Sequence, residues 1–145
     1  QPSLKGRALR LLSGREYSRT ELERKLQPFE EEPGSLGKAL DELQAKGFIS
    51  EQRVVESVLN RRAAKLGVQR IRQELQAKGL DPQVVSDAVA ELRGTELVRA
   101  QEVWRKKFGQ PPEDAAERAR QMRFLASRGF GGDTIRRVVS GGDDD

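Results

Sequence analysis

The side chains with the clearest chemistry in this sequence are its clustered cations. Arg118, Arg120, Arg123, Arg128, Arg136 and Arg137 fall on two successive helical stretches, and Arg105, Lys106 and Lys107 close the stretch before them. A guanidinium presents a planar fork of donors that fits carboxylates and phosphates, and an ammonium acts as a compact point charge. Arg123 lies on the polar flank of Met122 and Leu125. If its neighbours share that face, the chemistry on offer is recognition of acidic side chains or phosphates. A second set runs Arg61, Arg62 and Lys65, then Arg70, Arg72 and Lys78. It is less specific, because cations near a helix C-terminus are favoured by the macrodipole alone and can pair with Glu74. For both sets a solvated helix face is the competing reading. The partner-binding candidates are therefore Arg61, Arg62, Lys65, Arg70, Arg72, Lys106, Lys107, Arg118, Arg123, Arg128, Arg136 and Arg137.

Catalytic constellations are missing from the sequence. Without His or Cys there is no imidazole base, no thiolate nucleophile, no disulfide and no thiolate metal site. No Gly-Lys-Ser/Thr phosphate loop occurs either. Asp41 and Glu42 are adjacent, so on a helix they do not face one another, and nothing around them promises the burial that would raise a carboxyl pKa. The sequence reads as a binding protein without cofactor.

The elements that must position these cations are helices. Only 35% of the 145 residues are apolar and 5% aromatic, too little for one thick core and better suited to several small ones. Leu4, Ala8, Leu11 and Leu12 mark a first helix. Ser18-Arg19-Thr20-Glu21 is a capping box opening a second through Leu22 and Leu26, with Tyr17 before it as a hydrophobic staple. Pro28 to Gly34 reads as a loop, and Leu36, Leu40 and Leu43 give a third helix ending at Gly47. Val54, Val55, Val58, Leu59 and Ala63 begin the pattern again. It turns at Gly67, continues through Val68, Ile71 and Leu75 to Gly79, and restarts at Asp81-Pro82 with Val85, Val89 and Leu92. The last round is Leu97, Ala100, Trp104 and Phe108; then Ala115, Ala119, Met122 and Leu125; then Ile135, Val138 and Val139. Trp104 and Phe108 sit one turn apart on an apolar stripe and are expected in the core.

Three phrases punctuate the pattern: Ala45-Lys46-Gly47-Phe48, Ala77-Lys78-Gly79-Leu80 and Ser127-Arg128-Gly129-Phe130. Each places a cation, a Gly and a bulky apolar residue where a helix ends, the cation facing the dipole and the apolar residue folding back. The expectation is an all-α fold, an elongated array of three tandem three-helix-bundle repeats over 1–49, 50–94 and 95–140, with 141–145 a disordered tail. A unit of this size is thinly cored, so neighbours must stack. The first unit carries nine basic and eight acidic side chains, the second eight and six, the third ten and six, so positive charge grows along a chain whose net charge is +4. No stretch approaches the roughly 20 apolar residues a membrane span needs, and Gln1-Pro2-Ser3-Leu4-Lys5 has no apolar leader core. A monomeric cytoplasmic protein is expected.

Specific residues carry a resemblance. Arg7 to Ser18 followed by Glu21, Leu22, Lys25 and Leu26, together with Leu40-Asp41-Glu42-Leu43 running into Gly47-Phe48-Ile49, resembles the amino-terminal repeat of the RecX regulatory proteins. Gly67, Val68, Arg70, Ile71, Glu74, Leu75, Lys78, Gly79 and Leu80 resemble the middle repeat. Arg123 to Phe130 with Thr134-Ile135 resembles the last. The likeness extends from about residue 4 to 140. Two places depart from the family pattern: Ser50-Glu51-Gln52-Arg53-Val54 replaces an Asp-rich turn with an aromatic, and Glu30 to Pro33 replaces a Gly ending.

The resemblance implies a non-enzymatic modulator of the bacterial recombinase RecA. Such a protein lies in the groove of the RecA nucleoprotein filament, bridges protomers, and mainly suppresses ATP hydrolysis, strand exchange and coprotease activity. The partners it implies are the RecA filament and single- or double-stranded DNA, with no membrane. The short helices and positive charge also fit a helix-turn-helix-like DNA-binding module acting without RecA.

Overall fold

Nine α-helices follow one another through residues 2–141, the part of the chain described by a computed structural model. They are α1 (Leu4–Leu12), α2 (Arg19–Leu26), α3 (Ser35–Ala45), α4 (Glu51–Arg62), α5 (Val68–Ala77), α6 (Pro82–Arg93), α7 (Glu96–Lys107), α8 (Ala115–Ser127) and α9 (Gly132–Val139). No strand occurs among the described residues. The expected loop after α2 begins with a 3₁₀ turn, Gln27–Phe29, in which Pro28 holds the φ that such a turn requires. Of the tail expected at 141–145, residues 142–145 lie outside the described residues.

Caps fix most helix starts. Ser18 and Glu21 exchange side-chain and backbone hydrogen bonds in a complete capping box. Ser3, Ser50, Asp81 and Asp114 each accept from a backbone N–H in the first turn of α1, α4, α6 and α8. Three cores then form, one from each successive trio of helices. Leu22, Leu36, Leu40 and Leu43 anchor the first, Val54, Val58, Ile71 and Leu75 the second, and Leu125, Phe130, Ile135 and Val139 the third. Each such side chain contributes about 1.5–3 kcal/mol by leaving water. A handful per unit leaves little margin, and contacts between units become important.

Those contacts line the middle helices up head to tail. The C-terminal turn of α8 meets the N-terminus of α5, where Gly67 N donates to Arg128 O at 2.8 Å and Gln69 N to Gly129 O at 3.1 Å. Gly67 at the N-cap of α5 has no side chain to offer, and groups of the next unit satisfy the first N–H groups in its place: the carbonyls of Arg128 and Gly129 and the carboxylate of Glu96. One step earlier the C-terminal turn of α5 meets α2: Ser18 Oγ donates to Lys78 O at 2.6 Å and Arg24 to Ala77 O at 3.1 Å. Negative helix ends thus face positive ones along the array. Two of the three cation-Gly-apolar phrases do this second job, while Lys46-Gly47-Phe48 ends the third helix of its unit instead of the second. The apolar residue does not fold back there as expected: Phe48 is 46% exposed, and Ile49 is buried in its place.

At the first junction Lys78 also pairs with Glu21 at 2.9 Å, and Arg15 lies 3.3 Å from the same carboxylate. Burial works against the charge of Glu21, but hydrogen bonds from Ser18 N–H and the Lys78 ammonium outweigh it and hold the carboxyl below the usual carboxylate range. A depressed folded-state pKa adds stability above the unfolded value of about 4.3, and that stability is lost as pH falls through the depressed value. Glu21→Gln is therefore expected to lower stability at neutral pH and to flatten the acid limb of the stability curve. Urea midpoints measured from pH 3 to 7 check this; an unchanged acid limb would contradict it.

Trp104 is half-buried and packs against the third core, whereas Phe108, also half-buried, is not among the residues of that core. The Trp104 indole N–H donates to Gln121 Oε1 at 2.8 Å, and this buried amide in turn donates to Gln110 O at 3.0 Å. The polar edge of the indole thus draws it toward the loop after α7. Phe108 meets Phe124 edge to face, with ring centroids 5.5 Å apart.

Candidate partner-binding groove

Where the second and third units join, a groove of about 670 Å³ gathers half of the sequence-expected cations. Arg62 and Lys65 come from the end of α4 and the turn after it, Arg70 from α5, Lys106 and Lys107 from the end of α7, and Arg128 from the turn after α8. The C-terminal ends of three helices converge here, and their negative dipole ends offset the cost of bringing so many like charges together. Ala64, Leu66, Val103 and Phe124 give the groove an apolar floor, and no carboxylate among the described residues lines it.

The six cations are not equally free. Arg62 pairs with Glu74 at 3.2 Å, and Arg61 beside it reaches the same carboxylate at 3.6 Å. Arg70 spends one nitrogen on Ser127 O at 2.7 Å, so it joins the two units as well as lining the groove. The Arg128 guanidinium lies 4.6 Å and the Lys107 ammonium 5.2 Å from the Phe124 ring centroid, close enough for cation–π attraction to hold both at the rim. Lys65, Lys106, Lys107 and Arg128 have no ion-pair partner among the described residues.

Other expected site residues lie outside this lining. Arg72 is half-buried beside Gln76 and Leu80 in a separate depression between α5 and α6. Arg118 and Arg123 ride on α8, Arg136 pairs with Asp133, and Arg137 is exposed on α9. Among the third-unit arginines, only Arg128 enters the groove.

Arg99 was not singled out by the sequence. Its guanidinium donates to Ala63 O at 2.8 Å, Leu66 O at 2.7 Å and Leu92 O at 3.1 Å, clasping the ends of α4 and α6 to α7. Burial pushes its pKa down while Glu96 pulls the other way. Glu96 also accepts from Val68 N–H at 3.3 Å and Thr134 Oγ1 at 3.4 Å. No spacing rule could flag this clasp, since its acceptors are backbone carbonyls distant in sequence. Arg99→Met keeps most of the volume and removes the donors. It should cost about 2 kcal/mol in urea unfolding; a loss below about 0.5 kcal/mol would show that water replaces the clasp freely.

Residues 50–89 match the family description of the RecX second three-helix domain, and residues 95–139 that of the third. A regulatory protein RecX of Leptothrix cholodnii is 57% identical over 96% of this chain and 88% of its own length. One of Chromobacterium violaceum is 47% identical over 99% of this chain and 93% of its own. The crystal structure of RecX from Lactobacillus salivarius superposes with a TM-score of 0.75 at 20% identity, covering 97% of this chain and 94% of that one, a likeness of fold. No helix among the described residues is long and apolar enough to cross a membrane. With relatives this similar along nearly their whole length, the chain belongs to the RecX family of regulatory proteins.

Proposed function

We propose that this chain is a non-enzymatic regulator that binds the RecA nucleoprotein filament and mainly inhibits its ATPase, strand-exchange and coprotease activities. The observation that carries the reading is the groove between the second and third units: six cations over an apolar floor, with no lining carboxylate among the described residues. Such a surface suits acidic side chains or phosphates of a larger assembly. An array of small bundles suits a repeating partner too. Several modest contacts held on one chain raise the effective concentration of each, and the whole binds tightly although no contact does alone. Of the six groove cations, Lys65, Lys106, Lys107 and Arg128 are assigned the main binding role, since Arg62 is engaged by Glu74 and Arg70 by Ser127 O, while these four have no ion pair or side-chain hydrogen bond among the described residues. The chain works as a cytoplasmic monomer without cofactor.

The test is RecA ATPase on single-stranded DNA with the protein titrated to micromolar levels. Inhibition at substoichiometric or equimolar ratios is expected; an unchanged rate with no filament binding would defeat the reading. The same cations fit phosphates, so DNA binding without RecA is the second reading. Salt-dependent binding to DNA alone with a clear sequence preference would favour it.

A further inference from the structure

The first unit holds a second recognition surface, at the far end of the chain from the groove. A pocket of about 270 Å³ opens between α1, α2 and the 3₁₀ turn. Leu11, Leu26 and Phe29 form its apolar part, and Arg7, Arg10 and Lys25 its rim. Phe29 is 46% exposed, a large apolar surface left open to water. Arg7 lies over its ring, 3.8 Å from the centroid. None of the three cations has an ion-pair partner among the described residues.

This lack of compensation is notable because Glu30-Glu31-Glu32 follows the pocket directly. The first of these, Glu30, is engaged elsewhere. Its carboxylate accepts from Gly34 N at 3.1 Å, Leu36 N at 3.0 Å and Gln27 Nε2 at 2.9 Å, and so caps the start of α3. Those hydrogen bonds, with that of Leu36 N–H foremost, hold it below the usual carboxylate range and leave it little to offer the rim. The pocket thus presents positive charge around an apolar hollow, with no carboxylate among the described residues in its lining.

We propose that this pocket docks an acidic peptide segment of a partner protein, one bulky apolar side chain entering over Leu26 and Phe29 while flanking carboxylates meet Arg7, Arg10 and Lys25. The volume lies at or below the lower end of small-molecule sites, about 300 Å³, and suits a single anchoring side chain. Charge complementarity sets the sign of the flanks. A stacked nucleobase fits less well, because the Arg7 guanidinium already covers one face of the only aromatic ring in the pocket. The inference does not rest on the proposed role at the RecA filament, and its test uses no RecA.

The probe is a short blocked peptide with one phenylalanine between aspartates, titrated into the ¹⁵N-labelled protein. Saturable shifts should cluster at residues 7–11 and 25–29, with a Kd on the order of 100 µM. Replacing the peptide's phenylalanine by alanine, or its aspartates by asparagines, should weaken binding at least about fivefold. On the protein, Arg10→Glu with Lys25→Glu should weaken it about tenfold, and the milder Arg10→Gln with Lys25→Gln about threefold. Lys106→Glu with Lys107→Glu should leave it unchanged. The helical circular dichroism of every variant checks that the fold survives. Absence of saturable shifts up to about 1 mM, equal binding of the asparagine peptide, or a thymidine oligonucleotide binding the same residues more tightly would each overturn the proposal.

Discussion

Replacing Gly67 by Ala is expected to uncouple the third unit from the second. A Cβ built on Gly67 would lie 2.5 Å from Gly129 C, Gly129 O and Phe130 N, all backbone atoms with no rotamer to move. The φ of Gly67 is −84°, ordinary for any residue, so the substitution introduces no local strain and its whole effect falls on the junction. Forcing the chains apart breaks the hydrogen bonds from Gly67 N and Gln69 N and loosens that of Arg70. Overpacking of this kind costs about 1–3 kcal/mol, and the lost hydrogen bonds add to it. The single tryptophan, Trp104, reports on the third unit alone. In the parent protein its fluorescence and the far-ultraviolet circular dichroism should unfold together in urea. In Gly67→Ala the fluorescence transition should move to lower urea and separate from the other. Gly131→Ala, with nothing within 4 Å of the added carbon, serves as control and should keep one transition. Coincident transitions in Gly67→Ala would mean that the junction bends to make room.

The second large effect concerns the groove. Lys65→Glu, Lys106→Glu and Lys107→Glu together reverse three exposed cations that make no hydrogen bond or ion pair within the fold. Each reversal removes an attraction and adds a repulsion, about 1 kcal/mol apiece for a partly screened contact, so binding to the RecA filament should fall about 100-fold. Helical content and urea midpoint should stay near the parent's. Binding by the parent should also weaken steeply as salt rises, because contacts at a rim are screened over a Debye length of about 8 Å at physiological ionic strength. Inhibition of RecA ATPase by the triple variant at parent concentrations would mean that these charges are only a solvated face.

Much of the fold could be read from residue types because the signals are local. The Ser18–Glu21 capping box, the Asp81-Pro82 start and the apolar stripes all act within one or two turns, and each occurs where the sequence places it. Trp104 packs on the third core as its stripe suggests but is only half-buried, because its N–H needs a partner, and Gln121 supplies one at the edge of the core. The junctions could not be read. Gly67 and Gly129 look like ordinary helix punctuation, and only the folded chain shows that one backbone rests on the other. The groove was half visible, since both sets of cations stand out along the sequence. Their convergence depends on how α4, α7 and α8 meet, and only Lys106, Lys107 and Arg128 of the third-unit cations take part. Arg99 gave no signal because its partners are carbonyls.

The groove as the partner-facing surface is tested most directly by site-specific photo-crosslinking. A benzophenone side chain at Ala64, exposed in the groove, and another at Ala90, exposed on α6 away from its lining, are compared on RecA filaments assembled on single-stranded DNA. Strong crosslinks to RecA or to the DNA are expected from Ala64 and few from Ala90. Crosslinks from Ala90 with none from Ala64, in protein that still binds the filament, would contradict it.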